Sequence, residues 1–374
     1  MPKVIDCPGC GAPLDVARIA HVTRCPYCGH SIDLSALTGG RQAAQPIVIQ
    51  VTRWKAARWA GGLTCLIVGI GLAVAAAGVA TALLAGGIGL AATLPGAWQA
   101  ALAQGLPSAQ EPSAISSFGG EGIGPGLFTD ARSIDVDGEG QIYVGEYQGG
   151  RVQVFAPDGA FRTQWHAERD LPLRGLAVTR TGEVILAQGG ELQRYDGASG
   201  AALGPVTTAQ AGFDDIAVTA DGLLLASRYL DGDDALVVLA QEGETLLTIS
   251  RAVSGQTGDS ELDVRVAADG RGKLFGLGTF NETVVVFSPQ GQYLNRVGSE
   301  GDEPGQLSAP SSIEVDGQGR IYVGDIDGVE VYQPDGRHLA TIEVEGFPFG
   351  LAFAPDGRLL VVNGSRVAWY KGLE

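Results

Sequence analysis

The residues best suited to chemistry stand at the start of the chain. Cys7 and Cys10 form one C-x-x-C pair and Cys25 and Cys28 a second, 14 residues on. Proline follows the first cysteine of each pair, at Pro8 and Pro26, and glycine the second, at Gly11 and Gly29. Such a tight turn converges two thiolates on one ion, and two turns supply four sulfurs in a closed tetrahedral set. The chemistry expected of Cys7, Cys10, Cys25 and Cys28 is therefore a structural Zn2+ site with no open position for substrate. His21 and His30 lie near a shell that four cysteines already fill.

The elements that must hold these cysteines are few. Residues 1–34 are too short to fold on an apolar core, so a bound metal would supply their stability. The spacing resembles a zinc ribbon, which implies a small domain with a structural or partner-recruiting role. A basic linker follows at 35–60, with Arg41, Arg53, Lys55 and Arg58. Residues 61–94 then carry no charge at all, and Trp54, Trp59 and Trp98 flank them. Such a run reads as a transmembrane segment anchored by interfacial aromatics. As one helix it would extend about 51 Å against a hydrocarbon core of about 30 Å. One tilted or extended span is the simpler expectation, and a hairpin of two short helices is the alternative. Cys65 lies within the run as a small apolar filler.

Charge is distributed unevenly. Residues 1–60 hold seven basic and three acidic side chains, against 18 and 39 in the remainder. The basic flank before residue 61 predicts a single-pass protein of the cell membrane, with a cytoplasmic N-terminus and an extracytoplasmic C-terminal region. The acidity of that region disfavours nucleic acid as its partner. Residues 95–114 read as a stalk.

From residue 115 the text repeats. "ARSIDVDGEGQIYVGEYQGGRVQVFAPDG" begins at Ala131, and "PSSIEVDGQGRIYVGDIDGVEVYQPDG" begins at Pro310. Weaker copies start at Leu173, Phe213, Leu262 and Phe347. The glycine before each second strand falls at Gly140, Gly182, Gly222, Gly272, Gly319 and Gly357, a mean period of about 43 residues, that of a four-stranded propeller blade. The last copy ends without a fourth strand. Residues 115–118 look like that strand, displaced to the front of the array to close the ring.

The blocks D-G-x-G-x-I-Y-V-G-[DE] and R-V-Q-V-F-x-P-D-G resemble the NHL repeat family of β-propellers over 115–374. The expected fold is thus all-β: a six-bladed NHL-like β-propeller with a small N-terminal zinc ribbon and one transmembrane helix. The resemblance implies a platform for a protein or ligand, and a minority of related propellers are lyases or hydrolases.

A propeller presents its ligands to the mouth of its central channel. Polar residues just after the second strands, Glu146, Gln188, Arg228, Asp325 and Asn363, are the candidate mouth site, with Asp231, Asp233 and Asp234 as a nearby acidic loop able to take a ligand or calcium. His166 and His338 fall in outer strands, away from the channel. With no Ser-His-Asp order and no catalytic zinc set in the text, the sequence favours a membrane-anchored binding module over an enzyme. A membrane-complex scaffold without small ligand is one alternative, and a membrane-tethered lyase or lactonase-type hydrolase is another.

Overall fold

A computed structural model describes residues 114–373 and four short N-terminal strands, Val4–Asp6, Pro13–Asp15, Val22–Arg24 and Ser31–Asp33. The N-terminal strands pair two by two into separate two-stranded sheets, the first antiparallel with Ile5 opposite Leu14.

Residues 114–373 form six four-stranded antiparallel sheets. Blade 1 runs Ala131–Val136, Ile142–Glu146, Arg151–Phe155 and Phe161–His166, from the channel outward. Blades 2 to 5 repeat this order, with innermost strands Leu173–Val178, Phe213–Val218, Val264–Ala268 and Ser312–Val315. Blade 6 is composite. Gly350–Phe353, Leu359–Val362 and Arg366–Tyr370 come from the end of the chain, and Ser116–Gly119 from the front supplies the outer strand. The seam pairs Val367 with Phe118 and Trp369 with Ser116, one residue along from the expected 115–118.

The sequence forms these sheets for readable reasons. The second and third strands of blades 1, 4 and 5 are buried throughout, because both faces are covered by neighbouring blades. The six turn glycines all take φ between 80° and 85°, where a side chain would be strained. The aspartate opening the motif braces the same turn: Asp137 Oδ1 accepts from the amides of Glu139 and Gln141, and Asp316 Oδ1 from those of Gln318 and Arg320. Six apolar clusters fill the gaps between adjacent blades. The seam cluster is aromatic, with Phe118 ring centroids 4.5 Å from Phe155 and 5.1 Å from Trp369.

Two expectations are corrected here. Among the described residues no helix is long and apolar enough to cross a membrane, so the single-pass topology, its sidedness and a bilayer partner are not supported; residues 61–94 lie outside the described residues. Likewise, among the described residues no group of three or more His, Cys, Asp or Glu side chains could hold a metal. What is described of residues 1–34 is two separate two-stranded sheets rather than one ribbon sheet, and Cys7, Cys10, Cys25 and Cys28 themselves lie outside the described residues, so a structural Zn2+ site is not supported.

Candidate functional site in the central channel

The innermost strands of all six blades enclose a cavity of about 320 Å³. Its wall is ionic. Asp135 comes from blade 1, Arg174 from blade 2, Asp215 from blade 3, Arg265 from blade 4 with Asp263 just before it, and Glu314 from blade 5. Blade 6 contributes Phe347 and Phe349 from the approach to its first strand. The Arg132 guanidinium lies over the Tyr147 ring at 4.3 Å and the Phe349 ring at 5.1 Å, and its Nε donates to Asp130 Oδ1 at 2.7 Å.

An innermost strand has one edge without a strand partner, so its amides need acceptors. Carboxylates supply them. Asp135 Oδ1 accepts from the Val136 amide and Oδ2 from the Val178 amide of blade 2, each at 2.7 Å. Asp215 Oδ2 accepts from the Val266 amide of blade 4 at 3.0 Å. Glu314 Oε1 accepts from the Val315 amide at 3.2 Å. Gly175 makes room for this: a Cβ there would lie 2.7 Å from Asp215 Oδ1.

The three carboxyls line the cavity and are half-buried. Burial pushes Asp135 up to about 7, against the pull of two backbone amides. It pushes Asp215 up to about 6, moderated by the nearby Arg265 cation. Glu314 rises to about 8, first through burial and then through the negative charges of Asp135 and Asp215.

The cations are held in a lattice across three blades. Arg174 Nε lies 2.7 Å from Asp214 Oδ1, and its Nη2 reaches Asp263 Oδ1 at 3.4 Å. Arg265 Nη2 donates to Asp263 Oδ2 at 2.9 Å and Nη1 to the Arg174 carbonyl at 3.0 Å. Burial works against the Arg265 cation, but Asp263, Asp215 and Asp214 outweigh it and hold the guanidinium more firmly protonated than usual.

None of the five sequence-selected residues lines this cavity. They brace connections instead. Buried Glu146 accepts from the Thr129 amide at 2.7 Å and pairs with Arg151, whose Nη2 donates to the Leu127 carbonyl at 2.9 Å. Gln188 Nε2 donates to the carbonyls of Glu168 and Leu171, each at 3.1 Å. Asp325 accepts from the amides of Ser308 and Ala309 at 2.9 and 2.6 Å. Asn363 Nδ2 donates to the Glu345 carbonyl at 2.7 Å. Arg228 stays within the second strand of blade 3, opposite Phe213 and Ala235. Of the acidic loop, Asp234 accepts from the amides of Val253 and Ser254. His166 and His338 do lie in outer strands.

The lumen residues had one signal in the text. Asp135 and Glu314 stand five residues before Gly140 and Gly319, in the same position of "SIDVD" and "SIEVD". Alternation marks that face as polar. Only ring closure makes it the wall of a channel.

No family model matches the chain, so the NHL identity read from its motifs is not sustained, although the six-bladed propeller is. No curated protein matches it either. Solved structures do. A gluconolactonase from Xanthomonas campestris is 16% identical, with a TM-score of 0.52 over 69% of this chain and 98% of its own. A luciferin-regenerating enzyme is 12% identical, with a TM-score of 0.53 over 69% of this chain and 95% of its own. A calcium-binding protein, regucalcin, from Agrobacterium tumefaciens is 15% identical, with a TM-score of 0.51 over 68% and 96%. These likenesses establish the fold. Two of the three proteins are named as enzymes, and the expectation that leaned away from catalysis is withdrawn on that ground.

Proposed function

We propose that this propeller is an enzyme that hydrolyses a small ester or lactone in its central channel. One observation carries the reading: Asp135 and Glu314, titrating at about 7 and about 8, share a cavity with the guanidiniums of Arg174 and Arg265. A base and an acid near the working pH, beside fixed cations, are what acyl transfer to water requires. The cavity volume also suits a small molecule.

In this reading Asp135, the more acidic of the two, takes a proton from water as the oxygen attacks the carbonyl carbon. The guanidiniums stabilise the oxyanion that forms. The acyl C–O bond then breaks, Glu314 protonates the departing alkoxide, and a hydroxy acid, or an acid and an alcohol, leaves. Channel water returns the proton from Asp135 to Glu314. The two carboxyls repel one another, so their pKa values belong to the pair.

Because regucalcin is named for calcium, the fit of such an ion here matters. Calcium takes six to eight oxygen ligands from groups free to ionise. In this channel Asp214 and Asp263 face Arg174, Asp215 and Asp263 face Arg265, and Glu314 retains its proton near neutrality. The donor set does not fit a divalent cation, and no step is assigned to one.

The test is proton release in a pH-stat, using the full chain and a panel of uncharged lactones and short-chain esters. Turnover should follow a bell with its maximum between about 7 and 8, and Asp135→Asn and Glu314→Gln should each abolish most of it. A folded protein that releases no acid above the spontaneous rate across the panel would reject the reading.

A further inference from the structure

The geometry points to Arg132 as a carboxylate clamp in the channel: the Nη edge of its guanidinium takes the carboxylate of a small organic acid, whose apolar part lies against Phe347 and Phe349. The inference goes beyond the hydrolysis reading, because it concerns what the cavity binds and holds whether or not the channel hydrolyses esters.

Three observations support it. First, the arginines that line the cavity differ in what their terminal nitrogens do. Arg174 Nη2 donates to Asp263 Oδ1 at 3.4 Å, and Arg265 uses both Nη groups, on Asp263 Oδ2 at 2.9 Å and on the Arg174 carbonyl at 3.0 Å. Arg132 gives only its Nε, to Asp130 Oδ1 at 2.7 Å; among the described residues neither of its Nη groups donates to an acceptor. That leaves two parallel N–H donors on one edge, spaced for the two oxygens of a carboxylate.

Second, the guanidinium is held in place before any ligand arrives. Its carbon lies over the rings of Tyr147 and Phe349 at 4.3 and 5.1 Å. The backbone around it is fixed as well. The Ala131 amide donates to the Gly364 carbonyl at 2.8 Å, and the Tyr147 amide to the Asp130 carbonyl at 2.9 Å. Blade 6 packs so closely here that a Cβ on Gly350 would lie 2.6 Å from the Arg132 carbonyl. Third, the edge is within reach and has apolar company. The Arg132 side chain is 40% exposed, and Phe347 lies beside Phe349 with ring centroids 4.8 Å apart, both lining the same cavity. A cation fork next to an apolar wall favours an organic acid over an inorganic anion. Of the other charged groups on the wall, Asp215 and Asp263 face Arg265, and Asp135 and Glu314 keep their protons below about 7, so an incoming acid meets little opposing charge at that pH.

The test is equilibrium binding by titration calorimetry on the full chain, at about pH 6 and low salt, with benzoate and its neutral counterpart benzamide as probes. Benzoate should bind saturably with a Kd of roughly 1 mM or below. Benzamide, which has the same ring and no charge, should bind at least about 10-fold more weakly. Arg132→Gln should weaken benzoate by about 10-fold or more and leave benzamide unchanged. Arg132→Lys, which keeps the charge but not the fork, should recover only part of the loss. Inorganic phosphate should bind more weakly than benzoate. The inference is overturned if benzoate shows no saturable binding up to about 20 mM, if benzamide or phosphate binds as tightly, or if Arg132→Gln binds benzoate like the natural protein. Should Arg132→Gln fail to fold, the comparison of the three probes on the natural protein still decides. Turnover is not read in this experiment, so its outcome and that of the pH-stat assay remain separate.

Discussion

Two rings of buried polar side chains run round this propeller, and they differ in what each group faces. The outer ring stands at the ends of the second strands, where Glu146 meets Arg151 and Asp325 meets two loop amides. The inner ring stands on the innermost strands, where Glu314 and Asp135 meet each other's charge across the channel. Both rings hold carboxyls. The outer ones accept from loop amides or pair with an arginine, whereas Glu314 of the inner ring is raised first by burial and then by the charges of Asp135 and Asp215.

The largest way to break the comparison is Glu146→Ala. It strands the Arg151 guanidinium in a buried site, and should cost about 3–5 kcal/mol in urea denaturation. Next comes Glu314→Gln, which should reduce turnover by about 100-fold or more while leaving the fold intact. Its effect on stability should have the opposite sign to that of Glu146→Ala. Glu314 has a folded pKa of about 8, above its unfolded value near 4.5. The stability it contributes is fully present below about pH 4.5 and is lost as pH rises through 8. Glutamine never ionises, so at pH 9 the variant should be more stable than the natural protein by on the order of 1–2 kcal/mol, and below pH 4 the two should melt together. Asp135 and Asp215 shift in the same direction, so the natural protein should lose stability steadily between about pH 4 and 8.

Gly175→Ala sharpens the comparison from within the inner ring. The added methyl meets both the Asp215 carboxyl and the Asp215 Cα and should cost about 1–3 kcal/mol, with turnover falling as the lattice round Arg265 shifts. The smallest effect belongs to the outer ring at its most exposed member. Asn363→Ala loses two surface hydrogen bonds, one to the Glu345 carbonyl and one from the Arg366 amide, and should cost about 1 kcal/mol with no change in activity.

The ring itself was legible from the text. Six turn glycines at a period of about 43 residues, and an orphan strand at the front of the array, predict both the blade count and the closure. Local chemistry carries that information, since each turn needs its glycine wherever the blade ends up. The site was not legible in the same way. Arg174, Asp214 and Arg265 come from three blades, separated by 40 and 51 residues, and no local spacing joins them. The residues selected from the sequence end the second strands, one strand outside the cavity wall. A polar residue ending a second strand looks exposed in a linear text, but the loop entering the blade folds over it, as residues 127–129 do over Glu146 and 308–309 over Asp325.

The composite sixth blade has a consequence for the order in which the molecule is made. Ser116–Gly119 leaves the ribosome first among the propeller strands, yet its partner, Arg366–Tyr370, emerges last. For the whole of that interval Phe118 has no Trp369 to pack against, and one flank of blade 1 is bare. The ring can lock only once Arg366–Tyr370 has been made, across a separation of some 250 residues that makes this a slow contact to find. A nascent chain that has not yet reached Arg366 would carry five complete blades and still be open.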